Sequence, residues 1–470
     1  MTSARSRVSL GLLVCGYLAL AVVAGVPRSP LTVPLPVGAR PPDWAAQLAK
    51  AVGLDGIGRH SLIGLAWALV LIVLAAFVVL LREAWAGRVG LVAVLGASGA
   101  SLAISVAAPL LLSRDVFTYA AYGRIYALDH RNPYVVPLSS FPHDPFVRLT
   151  PGQWVHGHSH YGPLFTLVSA AIARTAPGTA ILLFKLVAGV AIATATVVVA
   201  RLAPRRRASL AAALVGLNPV LVVHTVGGGH VDALLAAPLV AAVAIALTRR
   251  HAIAVTLLLT AACLVKTVML PVLVLWLWSR RRGLAPHLAV VAAATVASLV
   301  PFISSWRTFR PLLTLGGVEA WASPSHLVGR AAAAVVGGWA LHTVEAAFLL
   351  GYLVLLRDVA RRWTNPADTW GVALLLLALS MPFLLPWYAA WFVPFLGLLS
   401  DGVLRVAGAI ASGVLALTLI PADPFNGLTT PAVMNGVHYA AAPVLLVILV
   451  VTASRLRSQA PLPDPLVTAP

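Results

Sequence analysis

Hydrophobic runs of about 20 residues recur through most of this 470-residue chain, and each is long enough for a helix to cross the ~30 Å hydrocarbon core of a bilayer. A helix of that kind pairs every backbone polar group within itself, as a lipid environment requires. Because 60% of the residues are hydrophobic and only 10% are charged, the composition excludes a soluble domain. The sequence therefore predicts an all-α polytopic membrane protein.

Fourteen of the apolar runs are predicted to cross the membrane. They are 8–26, 60–81, 89–111, 178–200, 208–222, 232–248, 252–264, 267–279, 286–303, 336–357, 369–385, 387–400, 403–420 and 437–454. The first run follows Arg5 and Arg7 and is expected to stay as a signal anchor, since "AGVPRSP" is a poor cleavage site. The short apolar segment "YGPLFTLVSAAIART" is expected to lie in the interface or to re-enter the membrane.

The net charge of +19 comes from short basic clusters between the apolar runs, so it indicates orientation rather than nucleic-acid binding. When the spans are counted from an internal N-terminus, more than half of the 33 Lys and Arg residues fall on one side. The positive-inside rule then places both termini in the cytoplasm and residues 112–177 in a large outer loop. The predicted divisions are an anchor with an outer Pro-rich loop at 1–59, a main transmembrane domain at 60–457, and a cytoplasmic tail at 458–470.

Most of the His, Trp, Tyr and Asn residues and the isolated acids fall in loops on the opposite, outer side. These loops include "SRDVFTYAAYGRIYALDHRNPYVV" (113–136), "WVHGHSHYGP", "HTVGGGHVD", the "VKT" break, "SSWRTFRP", "EAWASPSHL" and "LLPWYAAW". Loops held by a rigid scaffold are where function concentrates. We therefore expect an extracytoplasmic active site.

Residues 113–131 are predicted to form a helix along the outer surface, with Ser113 as N-cap and "NP" at its end. Helical spacing puts one carboxylate and three aromatic rings on a single stripe, namely Asp115, Tyr119, Tyr122 and Tyr126. A carboxylate followed by aromatic rings suits a sugar, which offers a hydroxyl proton and a stacking face. The alternative is an interfacial helix with tyrosines at headgroup depth. Asp115 beside Arg114 at the end of a span favours function, because charges near lipid are costly.

Three histidines, His156, His158 and His160, alternate in "WVHGHSHYGPLF". Extended backbone would put them on one side, so metal binding is one interpretation. No carboxylate lies within five residues, which favours hydrogen-bonding roles instead. The two cysteines, Cys15 and Cys263, lie in apolar runs and indicate neither a disulfide framework nor a thiolate metal site.

Three further outer segments carry candidate residues. In "GGGHVDALL", His230 and Asp232 follow glycines that either expose N–H groups to an anion or form a simple turn. Lys266 interrupts an apolar run and either snorkels or binds an anion. Trp387, Tyr388 and Trp391 in "LLPWYAAW" belong either to an aromatic belt or to a substrate-facing hairpin.

The outer-loop acid after a span, the "YGPL" segment and the irregular helices resemble the GT-C superfamily of lipid-linked-sugar glycosyltransferases. More narrowly, "SRDVFTYAAYGRIYALDHRNPYVV", "YGPLF", "NPVLVVHTVGGGHVDALLAA" and "LLPWYAAWFVPF" resemble the actinobacterial polyprenol-phosphate-mannose-dependent α-(1→6)-mannopyranosyltransferases. The likeness covers roughly residues 60 to 450. It implies a GT-C-like bundle with interfacial helices in the first outer loop.

The resemblance also implies a reaction and a site. Mannose would pass from polyprenyl-phosphate mannose to a mannan or glycolipid acceptor with inversion, and Asp115 would be the general base. Candidate donor-phosphate ligands are Arg114, Arg124, Lys266 and His230. Candidate sugar or acceptor ligands are Tyr119, Tyr122, Asn132, Tyr134, His160, Tyr161, Asp232, Trp387 and Tyr388. The leaving group is already a phosphate anion, so no cofactor and no metal are expected.

Two alternatives stay open. The same fold transfers other sugars or forms other linkages, for example as an α-(1→2)-mannosyl or arabinofuranosyl transferase. A secondary transporter or lipid flippase is a different class, which binds its substrate near mid-membrane. Lys185, in the middle of a predicted span, is the feature that favours a transporter.

Overall fold

The computed structural model describes residues 2–27, 29–32, 35, 39–40, 43–248, 250–303, 322–418, 420 and 431–459. Several segments named above lie outside the described residues: "SSWRTFRP", the first three residues of "EAWASPSHL", several positions of the Pro-rich loop, and nearly all of the tail.

Eighteen α-helices and no strand occur within the described ranges, which confirms the all-α fold class. They are α1 (Ala4–Gly25), α2 (Trp44–Ala51), α3 (Arg59–Trp85), α4 (Leu91–Ala107), α5 (Asp115–Ala127), α6 (Pro163–Ile172), α7 (Pro177–Leu202), α8 (Ala208–Gly216), α9 (Ala233–Leu247), α10 (Ala252–Val265), α11 (Leu270–Ser279), α12 (Leu284–Leu299), α13 (Pro324–Val336), α14 (Trp339–Arg362), α15 (Pro366–Ser380), α16 (Ala389–Leu396), α17 (Gly402–Leu415) and α18 (Pro431–Ser458).

Seven helical segments among the described residues are long and apolar enough to cross a membrane, as expected of a polytopic membrane protein. They are Ala4–Gly25, Arg59–Trp85, Pro177–Leu202, Arg205–Val226, Arg281–Phe302, Trp339–Arg362 and His438–Ser458. Most of the other predicted spans form apolar helices of 10–17 residues. The run predicted at 387–400 forms only the eight-residue α16, which is too short to cross alone. The number of fourteen crossings therefore stays a prediction.

The helices differ in how much of their surface faces other protein. The segment Arg205–Val226 is almost wholly enclosed, as are α15 and α16. In contrast, α12 and α14 show most of their apolar surface. Apolar surface left uncovered on the outside of a helical bundle is what contact with lipid tails requires. The enclosed helices therefore form the core of the helical bundle, and the polar loops extend from it.

Helix α5 differs from its predicted form in length and in surroundings. It begins at Asp115 and ends at Ala127, before the "NP" pair, because the Arg131 N–H donates to the Ile125 carbonyl and His130 adopts a left-handed φ of 51°. Ten of its 13 residues are buried against neighbouring helices, chiefly α6. Protein therefore encloses α5 on most sides, and its position along the outer membrane surface stays a prediction.

Two irregular segments meet beside the start of α5. One is the turn after α4, in which Leu112 has a φ of 61°. The other is a π-helical segment, Val220–Val226, which follows Pro219 and leads into the glycines at 227–229. Proline lacks the N–H that would continue a regular helix, and π turns often mark functional sites. The Leu111 N–H donates to the Gly227 carbonyl at 3.1 Å, so the backbone itself joins the two segments.

Candidate active site

The carboxylate of Asp115 stands at the first position of α5, directly after the Leu112 turn. The Ser113 side chain accepts the Asp115 N–H at 3.2 Å, but the N-cap of α5 is Arg114, which makes no side-chain capping bond, so the predicted N-cap at Ser113 is wrong by one residue. The Asp115 side chain is 20% exposed, although most of α5 is buried. It therefore lies in the protein wall with one side accessible.

Two side chains meet Asp115 at its Oδ2 atom. The Tyr119 hydroxyl, one helical turn along, donates to Oδ2 at 3.5 Å, as the predicted stripe requires. The His230 Nδ1 lies 3.6 Å from the same oxygen and 3.3 Å from the Tyr119 hydroxyl. These are long contacts, and catalytic hydrogen bonds commonly tighten only when substrate binds. The three groups form a compact triangle of carboxylate, phenol and imidazole.

The surroundings keep the phenol protonated and the imidazole neutral. Burial, followed by the charges of Tyr161 and Asp115, raises the pKa of Tyr119 well above its usual value. Burial, followed by the Lys266 ammonium and His224, holds the pKa of His230 well below its usual value. The lowered pKa of His230 therefore disfavours the cationic form that a charged phosphate ligand would need. The hydrogen bond of His230 is to the Tyr119 hydroxyl at 3.3 Å, and that hydroxyl donates to Asp115 Oδ2, so His230 can orient the carboxylate through Tyr119.

The glycines before His230 serve close packing rather than anion binding. Their N–H groups donate to carbonyls inside the preceding π-helical turn, and the His230 N–H donates to the Thr225 carbonyl at 2.9 Å. Of the two interpretations of these glycines, the contacts therefore support a turn and contradict N–H groups open to an anion. Gly229 has a φ of 64°, and a Cβ atom there would lie 2.8 Å from the Val116 side chain of α5. Only glycine lets this segment approach α5 so closely.

A second cluster surrounds the Lys266 ammonium. The Lys266 Nζ donates to Asp232 Oδ1 at 2.8 Å, and the Trp391 indole N–H donates to the same oxygen at 2.6 Å. The ammonium also lies 4.5 Å from the Tyr388 ring centre and 5.3 Å from that of Trp391, which are cation–π distances. Lys266 has extended backbone between α10 and the next helical turn, so the predicted break is confirmed. Its ammonium turns to protein partners and does not snorkel.

The segment Pro386–Tyr388 joins the two clusters. The Trp387 indole stacks on the His230 imidazole, with ring centres 3.5 Å apart and planes 14° apart. The next side chain, Tyr388, faces Lys266 and stacks on Trp391 at 4.1 Å. Both side chains are buried within protein. The aromatic-belt interpretation is therefore wrong, and these rings line the site.

The histidine-containing loop supplies another wall. Tyr161 packs edge-on against Tyr119, with ring centres 4.9 Å apart, and lies 6.4 Å from Tyr122. The His160 ring packs on Tyr161, with ring centres 4.3 Å apart, and its centre lies 5.8 Å from that of Trp154. Burial and then the Lys266 charge lower the pKa of His160 to about 4, so its imidazole is neutral.

The three histidines of that loop do not act as a set. His156 and His158 are exposed, while only His160 contacts the aromatic wall. Among the residues that the structure describes, no group of three or more His, Cys, Asp or Glu side chains is arranged to hold a metal ion.

Three predicted ligands lie outside the two clusters. Arg124 pairs with Asp144 at 2.6 Å and donates to a backbone carbonyl, so its guanidinium is engaged in bracing the loop. The Asn132 amide donates to the Phe302 carbonyl, and its Oδ1 accepts the Tyr134 N–H at 2.9 Å. The Tyr134 hydroxyl donates to the Tyr161 carbonyl at 2.9 Å and thereby supports that loop. Arg114 is partly buried beside Asp115.

Comparison with known proteins adds a decisive observation. Residues 31–280 match the family model described as "Alpha-(1->6)-mannopyranosyltransferase, N-terminal domain", and this range holds Asp115, His160, His230 and Lys266. The chain belongs to this mannopyranosyltransferase family. It is similar to alpha-(1->6)-mannopyranosyltransferase A of Mycobacterium tuberculosis, with 27% identity over 366 residues, or 68% of this chain and 69% of the relative. The family resemblance inferred from the motifs is thereby confirmed, and the chain is a glycosyltransferase.

In this member of the mannopyranosyltransferase family, two residues make contacts near the site that the sequence pattern did not predict. Trp391 follows Trp387 by one helical turn, yet that spacing alone does not show that its N–H binds Asp232. Lys185 is 0% exposed, and its Nζ donates to the carbonyls of Ala108 and Pro109. Its mid-span position was the available signal, but the identity of its partners depends on how α7 packs against α4.

Proposed function

We propose that this chain transfers mannose from polyprenyl-phosphate mannose to a lipid-linked or lipoglycan mannan acceptor, with inversion and with an α-(1→6) linkage. The observation that supports it most strongly is the joining of two clusters by one aromatic segment. An accessible carboxylate, Asp115, lies in one cluster, and a fixed ammonium, Lys266, lies in the other. Glycosyl transfer from a phosphate donor needs one group of each kind.

In the proposed step, the acceptor hydroxyl oxygen attacks C1 of the β-linked mannosyl phosphate as the bond from C1 to the phosphate oxygen breaks. Asp115 takes the hydroxyl proton, and polyprenyl phosphate leaves with the electron pair of the broken bond. Attack from the opposite face gives the α-linked product. The neutral His230 and the protonated Tyr119 hold Oδ2 of the base toward the site, and the proton later passes to water.

Asp115 suits the base better than Asp232 does, because the two carboxylates differ in access and in partners. The Asp232 side chain is 0% exposed, and its Oδ1 accepts both Lys266 and Trp391. A carboxylate held in that way is a structural partner of the lysine. The Asp115 side chain is 20% exposed, which leaves room for an acceptor hydroxyl.

Lys266 is the proposed ligand of the donor phosphate. An ammonium has three donors, and Asp232 takes one of them while Tyr388 and Trp391 flank the group. A pre-oriented cation stabilises the charge that develops on the leaving phosphate. Arg114 is proposed as a second cation because it adjoins the base. No metal or other cofactor is part of the proposed mechanism.

The proposed orientation puts this site on the extracytoplasmic side of the cell membrane, with both termini in the cytoplasm. The site lies where α4 ends and α5 begins, whereas the basic "LREAWAGR" segment lies between α3 and α4, at the opposite end of α4. Basic residues mark the cytoplasmic side. The lipid donor would then reach the site from the outer leaflet.

The structure weighs against the transporter alternative through Lys185. A transporter needs its mid-membrane polar residue to face a substrate path. Lys185 is instead enclosed, and its amine is taken up by two backbone carbonyls. The sequence feature that favoured transport is therefore explained by packing.

A direct assay tests the proposed function. Purified protein is incubated with radiolabelled polyprenyl-phosphate mannose and an oligomannoside, and the product linkage is determined by linkage analysis. We expect an α-(1→6)-linked mannose. An α-(1→2) linkage, or transfer only from an arabinofuranosyl donor, would support the same fold with another specificity. Label that crosses vesicle membranes without any glycosidic product would support transport.

A further inference from the structure

Lys185 is the ninth of the 26 residues of α7, and its side chain is fully enclosed. A buried amine in an apolar helix is costly unless it is hydrogen-bonded. Its Nζ donates to the Ala108 carbonyl and, at 3.0 Å, to the Pro109 carbonyl. These contacts settle why the lysine is tolerated there, but they do not by themselves say why a lysine is present.

The two carbonyls that Lys185 binds lie directly after α4, at the start of the turn that leads to the proposed catalytic carboxylate. Carbonyls at a helix end have no intrahelical partner, so a side-chain donor both satisfies and fixes them. The chain then passes through Leu112, with its left-handed φ of 61°, and begins α5 at Asp115. The amine therefore anchors the turn from one side, six and seven residues before the carboxylate.

The stem of the same lysine lies against the segment that carries the histidine. A Cβ atom at Gly229 would lie 3.4 Å from Lys185 Cγ and 2.8 Å from Val116 Cγ1. Gly229 immediately precedes His230, and Val116 immediately follows Asp115. Lys185 thus contacts both chain segments whose meeting puts His230 beside Asp115.

We propose that Lys185 is a positioning residue that sets the distance between Asp115 and His230 and so orients the base; this rests on the proposed role of Asp115. Its contribution acts on the reactive geometry rather than on substrate affinity. A displacement of about 1 Å in a catalytic group costs on the order of 100-fold in rate. Removal of the amine should therefore lower kcat and leave the donor KM nearly unchanged.

The central variant is Lys185→Met, which keeps the length of the stem and removes the donor. The matched control is Thr196→Val on the same helix, which removes a buried hydroxyl that donates to the Ile192 carbonyl at 2.8 Å. We expect kcat to fall about 10- to 100-fold in Lys185→Met and to stay at the wild-type value in Thr196→Val. Amide hydrogen exchange should rise in the peptides around 108–117 and 226–231 in the first variant alone.

A second variant alters the contact between Lys185 and Gly229 at the glycine, and it tests the proposal if Lys185→Met does not fold. Gly229→Ala adds the methyl group that would press on Val116 and Lys185, and we expect a similar loss of kcat. Wild-type kcat in either folded variant would overturn the proposal, as would equal losses in Lys185→Met and Thr196→Val. Asp115→Asn distinguishes failure of the proposed function from failure of the role of Lys185. If Asp115→Asn stays active, the proposed function fails. If Asp115→Asn is inactive while the Lys185 and Gly229 variants keep wild-type kcat, only the role of Lys185 fails.

Discussion

His230 Nδ1 lies 3.6 Å from Asp115 Oδ2, although 115 positions of chain separate the two residues. The contact exists because the Leu111 N–H binds the Gly227 carbonyl and because Gly229 lets the second segment close on α5. Trp387 stacks on the face of the imidazole and limits its rotation. The Asp115 carboxylate is therefore held by a scaffold of three chain segments, which is what a general base requires.

The first prediction concerns the proposed general base, Asp115. Asp115→Asn keeps the size and hydrogen bonding of the side chain but cannot accept a proton, so turnover should fall on the order of 10²–10⁴-fold. Folding and donor binding should be retained, as measured by size-exclusion profile and by titration with the lipid donor. Asp129→Asn removes a charge from an exposed position just after α5 and should cost far less. Equal, modest losses from both would mean that the loop needs only its charge balance.

The second prediction separates two cations that the sequence placed in one group. Lys266→Met removes the charge-assisted hydrogen bond that the ammonium is proposed to make to the donor phosphate. Such a bond contributes about 1.5–3 kcal/mol, so the donor KM should rise on the order of 10- to 100-fold. Arg124→Met breaks the pair with Asp144 and should lower the melting temperature without changing the donor KM. Steady-state kinetics and thermal unfolding in detergent measure both effects. A raised KM in Arg124→Met alone would reverse the assignment.

The third prediction concerns the pH dependence of stability. The pKa of His160 is lowered to about 4 from an ordinary value of 6.5, so the unfolded chain binds this proton more readily than the folded chain does. Stability is therefore lost as pH falls from about 6.5 toward about 4, and this contribution levels off below that. His160→Gln should flatten the decline of the melting temperature over that interval. His158→Gln, at an exposed position of the same loop, should follow the wild-type curve; an equally flat curve there would contradict the assignment.

The fourth prediction concerns metal. If one carboxylate acts against a phosphate leaving group, EDTA should leave mannosyl transfer nearly intact in the radiolabel assay. Activity abolished by EDTA and restored by Mn²⁺ would instead indicate a metal-dependent step.

The fifth prediction concerns topology. A reporter fused after residue 206 should score as cytoplasmic, because residue 206 lies within the basic "RRR" segment, and one fused after residue 140 should score as external. Alkaline phosphatase activity and green fluorescent protein fluorescence provide the two complementary readouts. The same score at both positions would refute the arrangement of spans.

Much of the fold and part of the site followed from local sequence. Apolar runs predicted helices because the bilayer and the helix impose the same length and pairing on any such run. The i to i+4 spacing predicted that Tyr119 reaches Asp115, and Lys266 was correctly placed at a helix break. Each of these inferences depends on residues within a few turns of one another.

Tertiary structure alone decided which polar groups meet. Lys266 binds Asp232 across 34 positions, and Trp391 binds Asp232 across 159. Arg124 has the same charge as Lys266 but pairs with Asp144, and Lys185 binds carbonyls 77 and 76 positions away. The physical reason is that hydropathy and helical periodicity act along one element, whereas a buried cation takes the partner that packing of distant helices brings to it. The helices and the available chemical groups therefore follow from local sequence, whereas the packing of α4, α5, α7 and the glycines at 227–229 determines which of those groups form the site.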